Sequence, residues 1–375
     1  MSQTENQYYD EFGFYSPQEL TRATRRQPEK GFHTGPEVGE SVPSIVLPDQ
    51  NGNLINVADS LGTNGGVVVF HRSAYWCPPC MTQLVQLQGI KDNLEEAGHS
   101  VFAISNDPVE ILGEFASKHD ITFSLLSDSD SAVIRAFGIM NQLIRPDEGQ
   151  SMRWYGIPYP GTYYVDANMV VTDKDFHQHH ARRASGSSVL ARVLGQEIEV
   201  HSEAETVDVS DQINVSVGLS EPALQLEVVS QLLIDIEIPE GMHAYASGAP
   251  NQFECLSLEV EGDGIRISDV SWPASEPMKT LGIEEEVPVY KGRIRASVPI
   301  TVTSDVIRLG HEIPDTLQVS VAASFQLCDD YECFLPERIE ATLSCALDRL
   351  VEPEGLSIYA DRVEAIEAET GKPVQ

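Results

Sequence analysis

Two hydrophobic periods divide the chain. Before residue 195, short apolar runs alternate with stretches whose apolar residues recur every three or four positions. Val67-Val68-Val69-Phe70 follows Gly65-Gly66 and is apolar without a break, as a strand covered on both faces requires. Leu84, Leu87, Ile90 and Leu94 predict a helix ending near Gly98. Residues 101–105 then read as a second buried strand, 109–119 as a helix, 123–126 as a strand and 131–137 as a short helix. Residues 162–165 and 170–176 form a hairpin, and 187–194 the last helix. Upstream, 38–47 and 54–57 read as short strands around an Asp49-Gln50-Asn51-Gly52 turn. The alternation predicts an α/β sheet covered by helices.

Beyond residue 206 the period is two. Residues 213–219, 232–238, 256–260, 265–270, 294–302 and 317–325 alternate apolar with polar, punctuated by Pro, Gly and Asp, as in a β-sandwich. The expected organisation is a polar extension over 1–34, an α/β domain over 35–195, an acidic linker over 196–206, a sandwich over 207–348 and an acidic tail over 349–375. A short surface helix is expected within that tail, over 358–368.

Composition narrows the function. The 375 residues carry 24 Lys+Arg against 58 Asp+Glu, a net charge of −34. Phosphate backbones repel such a chain, which argues against nucleic-acid partners. No apolar run approaches the roughly 20 residues that span a bilayer, so membrane insertion is not expected. The first 35 residues hold no apolar segment of the export type, and the expected compartment is the cytoplasm. Six cysteines in so long a chain point to catalysis, metal binding or burial rather than a disulfide scaffold.

Trp76-Cys77-Pro78-Pro79-Cys80 follows the buried strand and opens the first long helix. A cysteine at a helix N-terminus faces unpaired N–H groups and the positive end of the dipole, which stabilise a thiolate. Both prolines are tolerated where the helix has no partner for their nitrogens. The three-residue offset brings Cys80 beside Cys77, so Cys80 can attack a mixed disulfide on Cys77. Competing readings of the pair are a structural disulfide, half a zinc knuckle or two core cysteines. Cys328-Asp329-Asp330-Tyr331-Glu332-Cys333 lies at a strand end, where cysteines five apart can bridge. Its acids oppose thiolate formation, so this pair suits being attacked; a structural disulfide or two free thiols are the alternatives. His177, His179 and His180, near Asp173 and Asp175, suit a metal in principle, but read better as a solvated strand end. Arg182 and Arg183 read as surface charge that can also hold an anionic intermediate. Cys255 and Cys345 have no motif and are expected to be buried.

Phe70-His71-Arg72-Ser73-Ala74-Tyr75-Trp76-Cys77-Pro78-Pro79-Cys80, Ala103-Ile104-Ser105-Asn106-Asp107, Leu125-Leu126-Ser127-Asp128, Ala136-Phe137-Gly138 and Ile157-Pro158-Tyr159-Pro160-Gly161-Thr162 resemble, in order and spacing, the AhpC/TSA redoxin family of the thioredoxin superfamily. The resemblance covers 36–195. It implies Cys77 as attacking thiol, Cys80 as resolving thiol and Pro160 as a cis-proline beside them. Peroxidases of that family carry a Thr or Ser three residues before the reactive cysteine; here Ala74 stands there and Phe70 replaces the proline seven before. Residues 207–348 resemble the amino-terminal, immunoglobulin-like domain of the thiol:disulfide interchange protein DsbD, through Ala322-Ala323-Ser324-Phe325-Gln326-Leu327-Cys328, Cys333, Leu335-Pro336, Ile238-Pro239-Glu240-Gly241-Met242-His243-Ala244-Tyr245 and Val270-Ser271-Trp272-Pro273. That family exchanges disulfides with thioredoxin-like partners, outside the cytoplasm, which pulls the compartment towards the cell envelope.

The expectation is a thioredoxin-like domain followed by an immunoglobulin-like sandwich, acting as a thiol–disulfide oxidoreductase without cofactor or metal. Its partners are protein thiols and disulfides, including a thioredoxin-like donor. Electrons relay between Cys77/Cys80 and Cys328/Cys333, provided the two loops can face each other. The alternatives are a thiol-dependent peroxidase on Cys77 and a non-catalytic adaptor with structural cysteine pairs.

Overall fold

The computed structural model describes residues 31–142, 144, 155–204, 206–207, 212–250, 252–279, 285–303, 306 and 313–352. Most of the expected extension and tail, including the helix over 358–368, lies outside the described residues.

The α/β unit is built on a five-stranded sheet of order β5-β4-β3-β6-β7. Its strands are β3 (Gly65–Phe70), β4 (His99–Ser105), β5 (Ser124–Ser127), β6 (Gly161–Val165) and β7 (Val171–Phe176). β3 is parallel to β4 and β4 to β5, whereas β6 runs antiparallel to both β3 and β7. All six residues of β3 are buried, because one apolar cluster covers each face of the sheet. One face carries α2 (Pro78–Glu96), α3 (Val109–Lys118) and α5 (Gly186–Leu194); the other carries α4 (Ala132–Ala136) and α1 (Val57–Ser60). Only 46–48 and 54–56 of the upstream segments form strands, β1 (Val46–Pro48) and β2 (Leu54–Asn56). Asp49 closes the turn between them by accepting from the Asn51 and Asn53 amides at 2.8 Å, and this local turn chemistry decides the pairing.

α2 starts where the sequence says it must. Cys77 is its N-cap, and Pro78 and Pro79 fill the first turn. It stops at Gly98, whose φ of +78° only glycine adopts without strain.

The second half is all-β in its described residues. One sheet runs β16-β19-β13-β11-β9, with β9 (Ser202–Glu203), β11 (Asn214–Leu219), β13 (Val228–Glu237), β16 (Ile265–Ile267) and β19 (Arg293–Val302). The facing sheet runs β10-β22-β20-β15, with β10 (Thr206–Val207), β15 (Ser257–Glu261), β20 (Thr316–Phe325) and β22 (Glu337–Asp348); β12 (Leu224–Gln225) adds to β22. A small sheet of β17 (Glu276–Met278), β18 (Val287–Tyr290), β14 (His243–Tyr245) and β21 (Leu327–Cys328) closes one end. Alternate residues of both large sheets fill a single core, among them Ile234, Val298, Val319 and Leu343. The acidic linker is shorter than expected, since β9 and β10 already pair within the sandwich. Ordered backbone also continues past 348: Leu350 is buried.

The halves are joined through β8 (Arg183–Ala184), which leaves the α/β sheet and pairs in parallel with Val228 and Val229 of β13. Gln86 of α2 donates to Gln225 at 2.5 Å, and the Val351 amide donates to Thr82 Oγ1 at 2.8 Å. This end of the sandwich therefore rests on the first turns of α2. Cys328 pairs with His243, and Phe325 with Glu337, at the other end. The nine-residue step from Val228 to Glu237 along β13 spans about 30 Å at strand rise.

Candidate active site

Cys77 and Cys80 are joined as a disulfide, with Cα atoms 5.2 Å apart. The Cys77 carbonyl accepts from both the Cys80 and Met81 amides at 2.9 Å, so the pair belongs to the first helical turn. In the disulfide state Cys77 keeps 2% exposure and Cys80 none. The physical reason is that Cys77 is bonded to a fully buried sulfur, while Trp76 beside it packs on Ile144 and Ile157. The Arg72 guanidinium lies 4.8 Å from the Trp76 ring, within cation–π range. Tyr75 remains 58% exposed at the rim.

The loop ahead of Cys77 is held by one carboxylate. Asp107, at the end of β4, accepts from the Ala74 amide at 2.7 Å, the Ser73 hydroxyl at 2.8 Å and the Ser105 hydroxyl at 2.9 Å. Burial pushes its carboxyl pKa up, against the pull of those bonds. Ser73 Oγ also accepts from the Tyr75 amide at 2.9 Å. The hydroxyl closest to Ala74 in sequence is thus committed to shaping the loop. His71 is wholly buried. Burial, followed by the charge of Arg183, brings its pKa down to about 3, so it stays neutral.

Pro160 precedes Gly161, which pairs with Phe70; the register therefore sets Pro160 beside the start of the 71–77 loop. The expected cis bond is not there: no peptide bond among the described residues is cis, so Tyr159–Pro160 is trans. The Tyr159 amide donates to Ile139 O at 2.7 Å, and Met140 bridges Pro158. The chain enters β6 already extended, a course the intrinsically favoured trans isomer follows directly.

Arg183 was read as surface charge, and the structure corrects this. It is 3% exposed, and its Nη2 donates to Cys80 Sγ at 3.1 Å. The histidine cluster is corrected in the same way. His179 and His180 are buried and stacked with ring centroids 5.0 Å apart; His179 Nδ1 lies 3.3 Å from the Glu227 carboxylate across the junction with the sandwich. Burial brings the His179 pKa down to about 3. His177 lies 3.5 Å from Asp175. Among the described residues no group of three or more His, Cys, Asp and Glu is arranged to hold a metal ion.

The second pair, Cys328–Cys333, is also a disulfide. Cys328 is buried and Cys333 exposed. Asp329 accepts from the Tyr331 and Glu332 amides at 2.7 Å and so shapes the turn between them. Tyr245, stacked on Phe253, lines the inner side, with its hydroxyl 4.0 Å from Cys333 Sγ. Tyr331 and Leu335, 87% and 83% exposed, flank the outer side. Cys255 is only partly buried and donates to Ala246 O at 3.3 Å; Cys345 is buried in the sandwich core.

Residues 38–174 match the AhpC/TSA family, and residues 221–344 match the N-terminal domain of thiol:disulfide interchange protein DsbD. Peroxiredoxin Bcp of Escherichia coli (strain K12) is 36% identical over 106 residues, 28% of this chain and 67% of that protein. The chain belongs to the AhpC/TSA family. A putative peroxiredoxin of Mycobacterium tuberculosis is 33% identical to it over 119 residues, 32% of this chain and 68% of its own length. The solved structure of peroxidoxin BcpB from Mycobacterium tuberculosis is 23% identical, covering 43% of this chain and 98% of its own, with a TM-score of 0.36. This AhpC/TSA protein is a thiol-based oxidoreductase with a DsbD-type immunoglobulin-like domain, which sets the adaptor reading aside. No helix among the described residues is long and apolar enough to cross a membrane.

Proposed function

We infer that the chain exchanges disulfides with protein substrates, Cys77 attacking and Cys80 resolving. The carrying observation is the Cys77–Cys80 bond in the first turn of α2, where the helix terminus favours thiolate. Cys77 thiolate attacks a substrate disulfide, forms a mixed disulfide and expels one substrate thiolate. Cys80 then attacks Cys77 Sγ, expels the second substrate thiolate and closes the Cys77–Cys80 bond. Two electrons reach the substrate, whose thiolates take protons from water, and an external thioredoxin-like dithiol returns the electrons.

Cys328–Cys333 is a second exchange site, with Cys333 as the sulfur open to attack. The roughly 30 Å length of β13 argues against a relay within one molecule and for transfer between molecules. Exchange between the pairs should therefore be second order in protein; a rate independent of concentration refutes it.

A peroxidase using Cys77 is the second reading, favoured by relatives named peroxiredoxins. Ala74 and the engaged Ser73 hydroxyl weigh against it. Side-by-side rates with dithiothreitol decide between them. Insulin reduction should outpace hydrogen peroxide consumption; fast, saturable peroxide turnover lost in Cys77→Ser reverses the choice. Mixed disulfides accumulating on a Cys80→Ser variant would identify the substrates.

A further inference from the structure

Two buried sulfurs in this chain have opposite surroundings. Cys345 lies in the sandwich core, and burial pushes its thiol up to about 11. Cys80 is equally buried but has the Arg183 guanidinium at 3.1 Å. Arg183 Nη1 donates to the carbonyls of His180 at 3.0 Å and Arg182 at 2.7 Å. Asp175 and Glu227 act on its charge, without an ion pair of 4 Å or less to it among the described residues. Burial consequently lowers the Arg183 pKa to about 9. A disulfide sulfur is a weak acceptor, whereas a thiolate brings a full negative charge. Reduction of the pair places an anion in direct contact with a buried cation that Asp175 and Glu227 reach only at longer range.

We propose that Arg183 holds Cys80 as a thiolate in the reduced enzyme and so readies it for the resolving attack on Cys77. This makes Arg183 a positioning residue, and it rests on the exchange reading above. A resolving thiol that is already ionised needs no base when the mixed disulfide forms. It attacks Cys77 Sγ directly, the Cys77–Cys80 bond forms, the bond to substrate breaks, and the electron pair leaves on the substrate sulfur.

The other groups around the site leave Arg183 as the cation in contact with Cys80. His71 is held neutral by burial. Burial works against an ionised Asp175, but His177, Arg192 and Arg183 outweigh it and hold its pKa below the usual range. On the sandwich side, Glu227 lies 3.3 Å from the neutral His179 and 4.0 Å from Arg182, and its charge also reaches Arg183. The α2 N-terminus adds to the thiolate preference in the same direction.

The sandwich sets where this cation stands. The Arg183 amide donates to Glu227 O at 3.0 Å, and Arg183 pairs with Val228 in register. Glu227 holds a left-handed φ of 58° there, a conformation unusual for a side chain of that kind. The DsbD-type domain thus contributes to the first cysteine pair by fixing the strand that carries its cation.

The test is the ionisation of Cys80 in full-length reduced protein carrying Cys77→Ser. It is read as the ¹³Cβ shift of labelled cysteine against pH and assigned with Cys80→Ser. With Arg183 intact, Cys80 should titrate below the ordinary thiol value of about 8.5. Arg183→Gln should raise the midpoint by at least about one unit, a tenfold loss of thiolate at a pH well below both midpoints, and Arg183→Lys should recover part of it. A midpoint at or above the ordinary value with Arg183 intact overturns the proposal, and that arm needs no variant at Arg183. An unchanged midpoint in folded Arg183→Gln overturns it as well.

A second measurement uses protein with both cysteines of the pair and follows the mixed disulfide with insulin. At a pH well below both Cys80 midpoints, Arg183→Gln should lengthen its lifetime about tenfold, the same loss of thiolate, without slowing its formation. If no mixed disulfide forms on Cys77 in either protein, the exchange reading fails and the resolving role with it, while the titration alone decides the Cys80–Arg183 ion pair.

Discussion

The two cysteine pairs are both disulfides, three and five residues apart in sequence, and their surroundings are opposites. The first is capped by a helix, covered, and backed by a buried cation. The second sits on a turn at a sandwich end, with one sulfur exposed and acids on the loop between them. Thiolate is favoured at the first by helix terminus and guanidinium and opposed at the second by carboxylates. The contrast supports a division of labour, in which one pair attacks and the other is attacked. The two disulfides are also far apart, because ten-residue strands separate the ends of the sandwich.

The largest test of that division is removal of single sulfurs. Cys77→Ser should bring turnover of insulin to the uncatalysed background. In the sandwich, Cys328→Ser should leave a Cys333 thiol that alkylates quickly, and Cys333→Ser a Cys328 thiol that alkylates slowly, read by mass spectrometry. Equal rates would dissolve the asymmetry assigned to that pair.

Next in size is the packing beneath each pair. Leu84 of α2 and Ile234 of β13 are both fully buried. Truncation of either to Ala should cost about 2–5 kcal/mol, measured by urea unfolding. Leu84→Ala should also slow exchange at Cys77, since the helix that carries the pair loses its anchor. If Ile234→Ala lowers insulin turnover as much as Leu84→Ala does at matched stability, the halves are not mechanically distinct.

Acid should act on the first site through His71. Its folded pKa of about 3 lies below the ordinary 6.5. Between those values the unfolded chain binds a proton that the folded chain refuses. The stability His71 contributes is complete above pH 6.5 and is lost progressively as pH falls towards 3. Unfolding curves across that window should show the loss, and His71→Phe, if it folds, should flatten it.

The smallest expected effect concerns the loop before Cys77. Asp107→Asn keeps the shape but turns one acceptor into a donor facing groups that already donate. About 1–3 kcal/mol should be lost, together with faster amide exchange at Ala74 and Tyr75. Unchanged protection at both amides would remove Asp107 from its organising role.

Much of this was legible in the residues. Val67-Val68-Val69-Phe70 and the spacing of Leu84, Leu87, Ile90 and Leu94 announced β3 and α2, because a doubly covered strand and an amphipathic helix leave those patterns. Pro78 and Pro79 announced where the helix begins. The 12-residue strand β22 went unread although Ile339, Ala341, Leu343 and Cys345 alternate through it; the signal was there. Arg183 is a different case. β8 is two residues long and has no period, and its contact with Cys80 spans 103 positions. A run of Ala181-Arg182-Arg183-Ala184 looks like a wet surface until a second domain is laid over it. The separation of the two pairs was hidden for a related reason. It depends on which end of β13 meets the α/β unit, and β8 decides that.

The bond from Val351 to Thr82 has a consequence for how the protein is made. A ribosome delivers α2 long before residue 351, and domains fold as they emerge. For the whole time the sandwich is being synthesised, the first turn of α2 lacks the contact that later rests on it. The contacts that β13 and Gln225 make with β8 and α2 come from residues made earlier, and the bond from Val351 is added last. In chain order, the helix that carries Cys80 therefore acquires its cover in steps, the final one only once residue 351 has been made.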